Sequence, residues 1–313
     1  MSQSSNTIES IENLIDFKSK NLNGVEQCCR LFHGRGHAYK GFEHISIDWL
    51  PPVALITIYK EEDRNNLESM AELLQSRLPD CRSIQVQYRC RHMSPTEILW
   101  GEEITELVVE ESGLKYRLRL GVTQNTGFFL DMVNGHVWVR SNAQGKRVLN
   151  LFAYTCAFSV AAIDGGAEHV LNIDISKSAL SRGRDNHRIN QQDTKRVAFE
   201  GVDIFKSFSR IKKRGPYDLL ICDPPSLQKG SVDVERDYKK IVRRIPEFMN
   251  PGSLLMLCLN SPDLDEDFLF DMVAKECPEC VFKERISPPD VFREAVPGKG
   301  LKVLVFEYHE QKS

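Results

Sequence analysis

The chain has 313 residues, a length that suits about two domains, and its apolar and charged fractions are those of an ordinary globular protein. A formal net charge of −3 excludes a protein that coats polyanions through overall charge, although it allows a local basic patch. No apolar run reaches the roughly 20 residues that a membrane span needs, and the N-terminus lacks the basic start and apolar core of a signal peptide. We therefore expect a cytoplasmic protein whose nine cysteines are reduced, with the isolated Cys277-Pro278-Glu279-Cys280 as a structural feature.

The first part of the chain predicts a small mixed domain. Residues 1–30 carry a weakly helical pattern. The elements predicted after it are extended segments at 44–50 and 53–59, a helix over 65–78, a strand at 83–91 and a hairpin around Gly113. Together they predict a small α/β domain over residues 31–120, which is a candidate for RNA contact.

From about residue 125 onward, apolar strands alternate with amphipathic helices. Strand cores are predicted at 148–152, 169–174, 196–200, 218–223 and 254–259, and helices at 155–164, 176–191, 203–213, 236–249 and 264–276. Continuous apolar strands separated by helices imply a mostly parallel sheet that is covered on both faces. The sequence therefore predicts an α/β domain over 121–313, with its binding crevice at the carboxyl ends of the strands.

Polar residues follow three successive strands at the position of that crevice. Residues 150–155 close the first strand and open a helix, whose backbone amides suit a carboxylate or a phosphate, and no GxGxxG fingerprint is present. Asp174 ends the second strand, where an acid can accept both ribose hydroxyls of an adenosine. Asp203 follows the third strand, where it suits an adenine amino group while Ile204 and Phe205 cover the ring. Each acid alone is compatible with a helix cap, but together they predict an adenosine-containing cofactor without a pyrophosphate.

A fourth strand end carries Asp223-Pro224-Pro225-Ser226. The two prolines stiffen the backbone, so that its carbonyls and the Asp223 carboxylate are held towards the crevice. A planar group that carries an amine or a ring nitrogen can be bound there in line with a methyl sulfonium. An ordinary Pro-Pro turn is the alternative for the motif alone. With the three upstream strand ends, the motif predicts the catalytic residues Asp223, Pro224, Pro225 and Ser226.

These motifs resemble those of the large-subunit ribosomal RNA methyltransferase family, which has 5-methylcytosine and 7-methylguanine branches. The resemblance covers about residues 100–310 and rests on the runs 126–131, 148–159, 165–167, 174–176 and 223–226, with Asn186 and Asn190. It implies a class I (Rossmann-like) methyltransferase fold, a seven-stranded sheet preceded by a small α/β domain. We expect no room for the RNA-binding PUA domain that opens some members.

The resemblance also implies a pocket for S-adenosyl-L-methionine, with segment 126–131 over its methionine end. The implied cofactor-binding residues are Thr126, Phe129, Asn150, Phe152, Tyr154, Thr155, Asp174, Ile175, Ser176, Asp203, Ile204 and Asp223. Two positions depart from the family pattern. The family usually has glycine where Cys156 stands, and lysine where Asn125 stands. The thiol narrows the entry to the first helix, and Asn125 alters how the methionine end is held.

The fifth strand bears on which atom is methylated. Methylation of cytosine C5 requires a cysteine thiolate that first adds to C6, and the 5-methylcytosine branch supplies it at a position that aligns with Leu259. Cys258 stands one residue earlier, which reverses the direction of a side chain on a strand, so we expect it in the core. Asn260 resembles the 7-methylguanine branch, in which a positioned ring nitrogen attacks with its own lone pair. We therefore expect methylation at a ring nitrogen of a base.

Basic residues interleaved with aromatic residues indicate an RNA substrate. The groups are Arg30, His33, Arg35 and His37 near Phe32 and Tyr39; Arg82, Arg89 and Arg91 around Tyr88; Lys206, Arg210 and 212–214; and Lys239, Lys240, Arg243 and Arg244. Residues 212–214 are equally explained as cations that favour a helix C-terminus. With the resemblance, the expected partner is large-subunit ribosomal RNA. A protein or small-molecule substrate, or a non-catalytic RNA-binding protein of the same fold, are the alternatives.

Overall fold

The computed structural model of the chain describes residues 11–17, 21–22, 25–225 and 233–310. The chain divides into two compact units: unit 1 comprises residues 1–131 and 289–296, and unit 2 comprises 132–288 and 297–313. Residues 121–131, which the sequence groups with the catalytic domain, therefore belong to unit 1. No helix in the described part of the chain has the length and apolar character that crossing a membrane requires.

Among its described residues, unit 1 contains a five-stranded sheet, a 14-residue helix, two hairpins and a short helical stretch at 11–12. Its elements are β1 (Asn21–Leu22), β2 (Val25–Glu26), β3 (Cys29–His33), β4 (Ile45–Leu50), β5 (Val53–Ile58), α1 (Arg64–Arg77), β6 (Ser83–Tyr88), β7 (Thr96–Gly101), β8 (Glu106–Glu111) and β9 (Leu114–Arg119). The sheet order is β3-β4-β5-β6-β7, in which only β5 and β6 are parallel. Helix α1 buries Leu67, Met70 and Leu74 in the core of this unit, as their helical spacing predicts.

Within the predicted helical segment 1–30, residues 11–12 are helical, whereas the prediction is wrong from residue 21 onward. Strands β1 and β2 pair there as an antiparallel hairpin, and β3 joins the five-stranded sheet. A short, weakly amphipathic segment gains little as a helix, because helix nucleation is costly, so pairing with a neighbouring strand wins. Residues 1–10 lie outside the described part. The hairpin around Gly113 is confirmed by β8 and β9, with Gly113 at a φ of 83°.

Unit 2 is a seven-stranded sheet with helices on both faces. Its elements are α2 (Val133–Asn142), β10 (Arg147–Leu151), α3 (Ala157–Asp164), β11 (His169–Asp174), α4 (Lys177–Ile189), β12 (Val197–Gly201), α5 (Phe208–Arg214), β13 (Tyr217–Cys222), α6 (Val234–Val242), α7 (Ile245–Phe248), β14 (Met249–Leu259), α8 (Glu266–Glu276), β15 (Cys280–Arg285) and β16 (Lys302–Tyr308). The sheet order is β12-β11-β10-β13-β14-β16-β15, with β16 antiparallel to both neighbours and the other pairs parallel. The predicted seven-stranded α/β sheet, preceded by a small α/β unit, is confirmed.

Alternating residues of the central strands enter two separate apolar cores. Leu149 and Leu151 pack in the core that includes residues of α5 to α8, whereas Val148 packs in the core that includes residues of α2 and α3. Strand β10 has β11 on one side and β13 on the other, so the strand order reverses at β10. At such a switch point, the connections leave in opposite directions and open a crevice at the carboxyl ends of the strands.

Candidate functional site

The structure brings the predicted strand-end residues of unit 2 to one edge of the sheet. Leu151 is in register with Ile173 of β11 and with Cys222 of β13, and Asp174 is in register with Gly201 of β12. The segments that begin at Phe152, Asp174, Val202 and Asp223 therefore leave the sheet side by side. This is the edge at which the sequence places the cofactor and the reacting group.

The loop from β10 to α3 has an unusual backbone. Phe152, Tyr154 and Cys156 have φ values of 58°, 45° and 63°, the left-handed region that costs an L-residue about 1 kcal/mol or more. Hydrogen bonds hold this conformation: Ala153 N donates to Ile173 O (3.1 Å), and Asn186 Nδ2 donates to Thr155 O (3.0 Å). Strain that the surroundings enforce in this way is typical of binding sites.

Asp174 links this loop to the next strand end. Its Oδ2 accepts from Tyr154 N (2.9 Å), and its Oδ1 accepts from Ser176 N (2.7 Å). A carboxylate offers about four acceptor positions, so each oxygen can accept one more hydrogen bond, as two ribose hydroxyls require. The next residue, Ile175, is 72% exposed, a large apolar side chain that a bound ring can cover. The hydroxyl of Ser176 caps α4 by accepting from Ala179 N (3.2 Å).

Asp203, like Asp174, has open acceptor positions and apolar neighbours, but here the first of those neighbours is buried. Asp203 Oδ1 accepts from Phe205 N (2.9 Å) in a short 3-10 turn, which again leaves acceptor positions on the carboxylate. Ile204 is 4% exposed and belongs to the core, so it differs from the expected ring contact. Phe205 is half-buried, and its ring centroid is 6.3 Å from that of Phe152. The partly exposed apolar side chain beside Asp203 is therefore the aromatic ring of Phe205, and not Ile204.

Asn150 and Thr155 are buried, at 1% and 2% exposure. Asn150 Nδ2 donates to Asn172 Oδ1 (2.8 Å), Asn172 donates to Ser159 Oγ (2.9 Å), and Ser159 contacts His187 Nε2 (2.9 Å). This chain of side chains lies inside unit 2, and burial lowers the pKa of His187 to about 4. His187 is therefore neutral, so every side chain in this buried hydrogen-bonded chain is uncharged. The side chain of Asn150 is thus held inside unit 2, and its predicted contact with the cofactor stays a prediction.

Asp223 and Pro224 follow β13 directly, Pro224 is buried and Pro225 is half-buried. Ser226 lies outside the described residues. The buried hydroxyl of Tyr238 on α6 donates to Cys222 O (3.0 Å) and towards Cys258 O (3.3 Å), and burial raises its pKa, so it remains a donor. Tyr238 thus ties together the strand ends that carry Asp223 and Asn260. Sequence reasoning missed this role, because a tyrosine on an amphipathic helix gives no signal beyond packing.

Lys302 is a second residue that sequence reasoning missed. It begins β16 and is 3% exposed. Its Nζ donates to Ser261 O, to Leu264 O (2.7 Å) and to Gly298 O (3.1 Å). These carbonyls satisfy the buried ammonium and fix the turn after Asn260. In the sequence, the sign of this role is a single lysine directly before the apolar run 303–306, which indicates a buried and hydrogen-bonded ammonium.

Cys258 lies where the sequence predicts. It is fully buried in the core that includes Val139 and Phe158, whereas its neighbours Leu257 and Leu259 face the opposite core. The thiol therefore has no open path to a base at the strand ends. Asn260 is exposed after the strand.

Thr126 and Phe129 belong to unit 1. They line a cavity of about 90 Å³ together with Arg30, Asp48, Leu50, Phe128, Leu130, Asp131 and Phe292. Within it Arg30 pairs with Asp48, and Arg30 Cζ lies 5.0 Å from the Phe292 ring centroid. The predicted contact of Thr126 and Phe129 with the cofactor stays a prediction.

Most of the basic residues that suggested RNA binding in unit 2 are paired with acids. Lys240 pairs with Asp237, Arg243 with Glu276 and Arg244 with Glu247. Arg210 and Arg214 pair with Glu200, and Lys206 lies 3.7 Å from Asp203. Such pairing reduces the charge available to a phosphate, so the 239–244 group is a weaker candidate than its sequence suggests.

Cys156 has a left-handed backbone, and its side chain is accommodated because the neighbouring residue on α4, Gly183, has no side chain. A Cβ on Gly183 of α4 would lie 2.4 Å from Cys156 Sγ and 2.9 Å from Cys156 Cβ. Burial raises the pKa of the Cys156 thiol well above its usual range, so it packs as a neutral group. The left-handed backbone at Cys156 explains the glycine usual in the family. In this chain the thiol occupies space that Gly183 leaves.

This pairing predicts a strong coupling between the two positions. We expect Gly183→Ala to lower the free energy of unfolding by about 1–3 kcal/mol, because the added methyl overpacks against Cys156. In a Cys156→Gly background, the same substitution should cost much less, since the two nearest atoms are removed and the next one, Thr155 O, lies at 3.2 Å. Urea unfolding of the four proteins of the cycle measures this. An equal cost of Gly183→Ala in both backgrounds would show that Cys156 and Gly183 are not coupled.

The strand order, the acids at three strand ends and the Asp-Pro-Pro motif define a class I methyltransferase. A family model described as S-adenosylmethionine-dependent methyltransferase matches residues 29–307. The chain therefore belongs to this family, and S-adenosyl-L-methionine is its cofactor.

Relatives and solved structures are consistent with this assignment. The chain is 31% identical over 217 residues to ribosomal RNA large subunit methyltransferase I of Aliivibrio fischeri, covering 66% of the chain and 55% of that protein. It is 28% identical over 303 residues to the Erwinia tasmaniensis protein of the same name, covering 88% and 75%. The chain thus spans little more than half of the first relative. A Streptococcus mutans structure, described as a candidate SAM-dependent methyltransferase, has a TM-score of 0.84 at 23% identity over 96% of this chain and 81% of its own, which shows a shared fold.

Proposed function

We propose that this chain methylates a ring nitrogen of a base in large-subunit ribosomal RNA, in the cytoplasm. The observation that carries the proposal is the juxtaposition at one sheet edge of Asp174, Asp203 and Asp223-Pro224-Pro225. The names of the Aliivibrio fischeri and Erwinia tasmaniensis relatives support ribosomal RNA as the substrate.

The proposed cofactor contacts are those with open acceptor positions or exposed apolar surface. Asp174 would accept from the ribose, Asp203 from the adenine amino group, and Ile175 and Phe205 would cover the ring. Phe152 and Tyr154 would contribute through the strained loop, and Ser176 through the start of α4. The buried residues Asn150, Thr155 and Ile204 would support these contacts from below.

The proposed mechanism depends on positioning. When bound, the cofactor supplies a methyl group on a sulfonium. Asp223 and the carbonyls fixed by Pro224 and Pro225 orient the base, and Tyr238 holds the strand ends that carry them. A ring nitrogen provides its own lone pair, so the chain needs no nucleophile. The buried position of Cys258 supports this route over the covalent route to 5-methylcytosine.

Cys258→Ala separates these two routes. We expect methyl transfer to stay within a few-fold of wild type, because the thiol is enclosed in the core. The free energy of unfolding should fall by roughly 1–2 kcal/mol, because the substitution deletes buried volume. Single-turnover transfer and urea unfolding measure the two effects. A folded variant without transfer would restore the covalent mechanism.

The substrate class is tested by transfer of labelled methyl groups into total RNA and total protein from a strain that lacks this gene. We expect label in ribosomal RNA, and nucleoside mass spectrometry then identifies the methylated atom. Label confined to protein or small molecules would overturn the RNA substrate while keeping the family. No label in any fraction, despite cofactor binding, would favour a non-catalytic RNA-binding protein.

A further inference from the structure

Two arginines of unit 1 lie against one tyrosine ring. Arg35 Cζ is 4.1 Å from the centroid of Tyr59, and Arg89 Cζ is 5.7 Å from it. Tyr59 follows β5 and Arg89 follows β6, which are parallel and in register at Ile58 and Tyr88. Arg89 N also donates to Ile58 O (2.8 Å), so both residues leave the sheet at the same edge. The tyrosine therefore fixes two cations near each other.

The turn that carries Arg35 is held rigidly. A Cβ on Gly34 would lie 1.8 Å from Phe42 O, and a Cβ on Gly36 would lie 1.9 Å from Arg293 O. Both glycines thus pack directly on backbone, where no side chain fits. Ala295 N donates to Gly36 O (2.7 Å), which ties the turn to the segment 289–296 of the same unit. Arg35 is exposed on a backbone that is already ordered, so little backbone entropy is lost when its side chain binds an anion.

Arg35 and Arg89 lack a carboxylate partner within the described residues, unlike most arginines of unit 1. The paired ones are Arg30 with Asp48, Arg64 with Glu68 and Glu97, Arg77 with Glu12, Arg82 with Glu102, Arg91 with Glu61, and Arg119 with Glu106. Arg89 is half-buried, and burial lowers its pKa. Its guanidinium donates to Gln124 O, to Asn125 Oδ1 (3.4 Å), and through Nη2 (2.9 Å) and Nε (3.2 Å) to the side-chain oxygen of Gln124, so its acceptors are neutral. Among the described residues no carboxylate lies within 4.0 Å of either guanidinium, and the charge of Arg35 helps to lower the pKa of Arg89, so the two cations repel each other and an anion relieves that repulsion.

We propose that Arg35, Tyr59 and Arg89 form a binding site for the phosphate backbone of RNA. The exposed guanidinium of Arg35 can bind phosphate oxygens through paired N–H donors, whereas Arg89, whose donors also contact Gln124 and Asn125, contributes its positive charge beside the same ring. Because two guanidinium groups already lie near the Tyr59 ring, we assign the site to a phosphate and not to a stacked base. The inference rests on the proposed RNA substrate and adds a contact outside unit 2.

The test compares Arg89 with a matched arginine two residues away. Arg91 also lies over a tyrosine, 3.7 Å from the Tyr88 centroid, but it pairs with Glu61. Binding of a fluorescent single-stranded oligoribonucleotide is titrated over a range of salt concentrations. The proteins are the full chain and its Arg35→Gln, Arg89→Gln, double and Arg91→Gln variants. Thermal unfolding confirms that each variant is folded.

We expect each of Arg35→Gln and Arg89→Gln to weaken binding about tenfold at low salt. Each should reduce the slope of log affinity against log salt by about 0.7, the value for one phosphate contact on a single strand. Arg91→Gln should change neither quantity by much. Equal losses for all three variants would overturn the site, because they would indicate a diffuse charge effect.

The result that would contradict this inference differs from the result that would contradict the proposed function. If wild type binds and methylates RNA but the double variant keeps the wild-type slope, only the phosphate site is wrong. If wild type shows no binding to RNA at any salt concentration, the RNA substrate is wrong, and this site with it.

Discussion

Asp223→Asn should reduce the rate of methyl transfer by roughly 100-fold or more and leave cofactor affinity within a few-fold. Asp223 follows β13 beside the segment that begins at Phe152, and we propose that its carboxylate orients the base there. Asparagine keeps the shape but loses the charge and one acceptor, so the base loses its orientation. Asp223→Ala should remove transfer altogether. Single-turnover assays give the rate, and calorimetric titration of the cofactor gives the affinity.

Asp218 provides the matched control, because it lies on the same strand at the opposite edge of the sheet. Its carboxylate accepts from Arg147 N (2.9 Å) and from Asn250 Nδ2 (2.7 Å). Asp218→Asn should therefore lower the free energy of unfolding by about 1–2 kcal/mol and leave the rate intact. If Asp223→Asn turned over at a near wild-type rate, the role assigned to the Asp-Pro-Pro motif would be wrong.

The architecture of unit 2 could be predicted because each of its signals is local. Runs such as 218–223 are too apolar for an exposed strand, and helical periodicity separates them. The carboxyl ends of parallel strands share one edge of the sheet, so the sequence alone predicts that the acids lie near each other. The split at residue 131 and the return of 289–296 to unit 1 were not predictable, since they depend on contacts between distant segments.

The sequence could not predict which way each side chain of the site points or which residue it pairs with. Asn150 is polar and stands in a strand beside the site, yet its amide completes a buried chain with Asn172. Ile204 and Phe205 are both apolar, and the turn after Asp203 decides which one is buried. The charge of an arginine is visible in a sequence, but its neutralisation by an acid elsewhere in the chain is not. For this reason Arg89 and Arg91 look alike until the structure places Glu61 beside only one of them.

Asp174→Ala should weaken cofactor binding by about 100-fold and also destabilise the protein. Two hydrogen bonds to a carboxylate are each worth about 1.5–3 kcal/mol, so even partial loss of those to the ribose gives this effect. The same carboxylate accepts from Tyr154 N and Ser176 N, so its removal also releases the strained loop. We expect the free energy of unfolding without cofactor to fall by about 2–3 kcal/mol. Calorimetric titration and urea unfolding separate the two losses.

Asp193 distinguishes a structural acid from a binding acid. Its Oδ1 accepts from Lys195 N (3.0 Å), two residues ahead, as Asp174 Oδ1 does from Ser176 N, but Asp193 precedes β12 at the opposite edge of the sheet. Asp193→Ala should cost about 1 kcal/mol of stability and leave cofactor affinity unchanged. Asp174→Asn retains an acceptor oxygen, so it should recover part of the stability while affinity stays low. If Asp174→Ala lost stability but bound the cofactor normally, Asp174 would be a cap like Asp193, and the ribose contact would have to lie elsewhere.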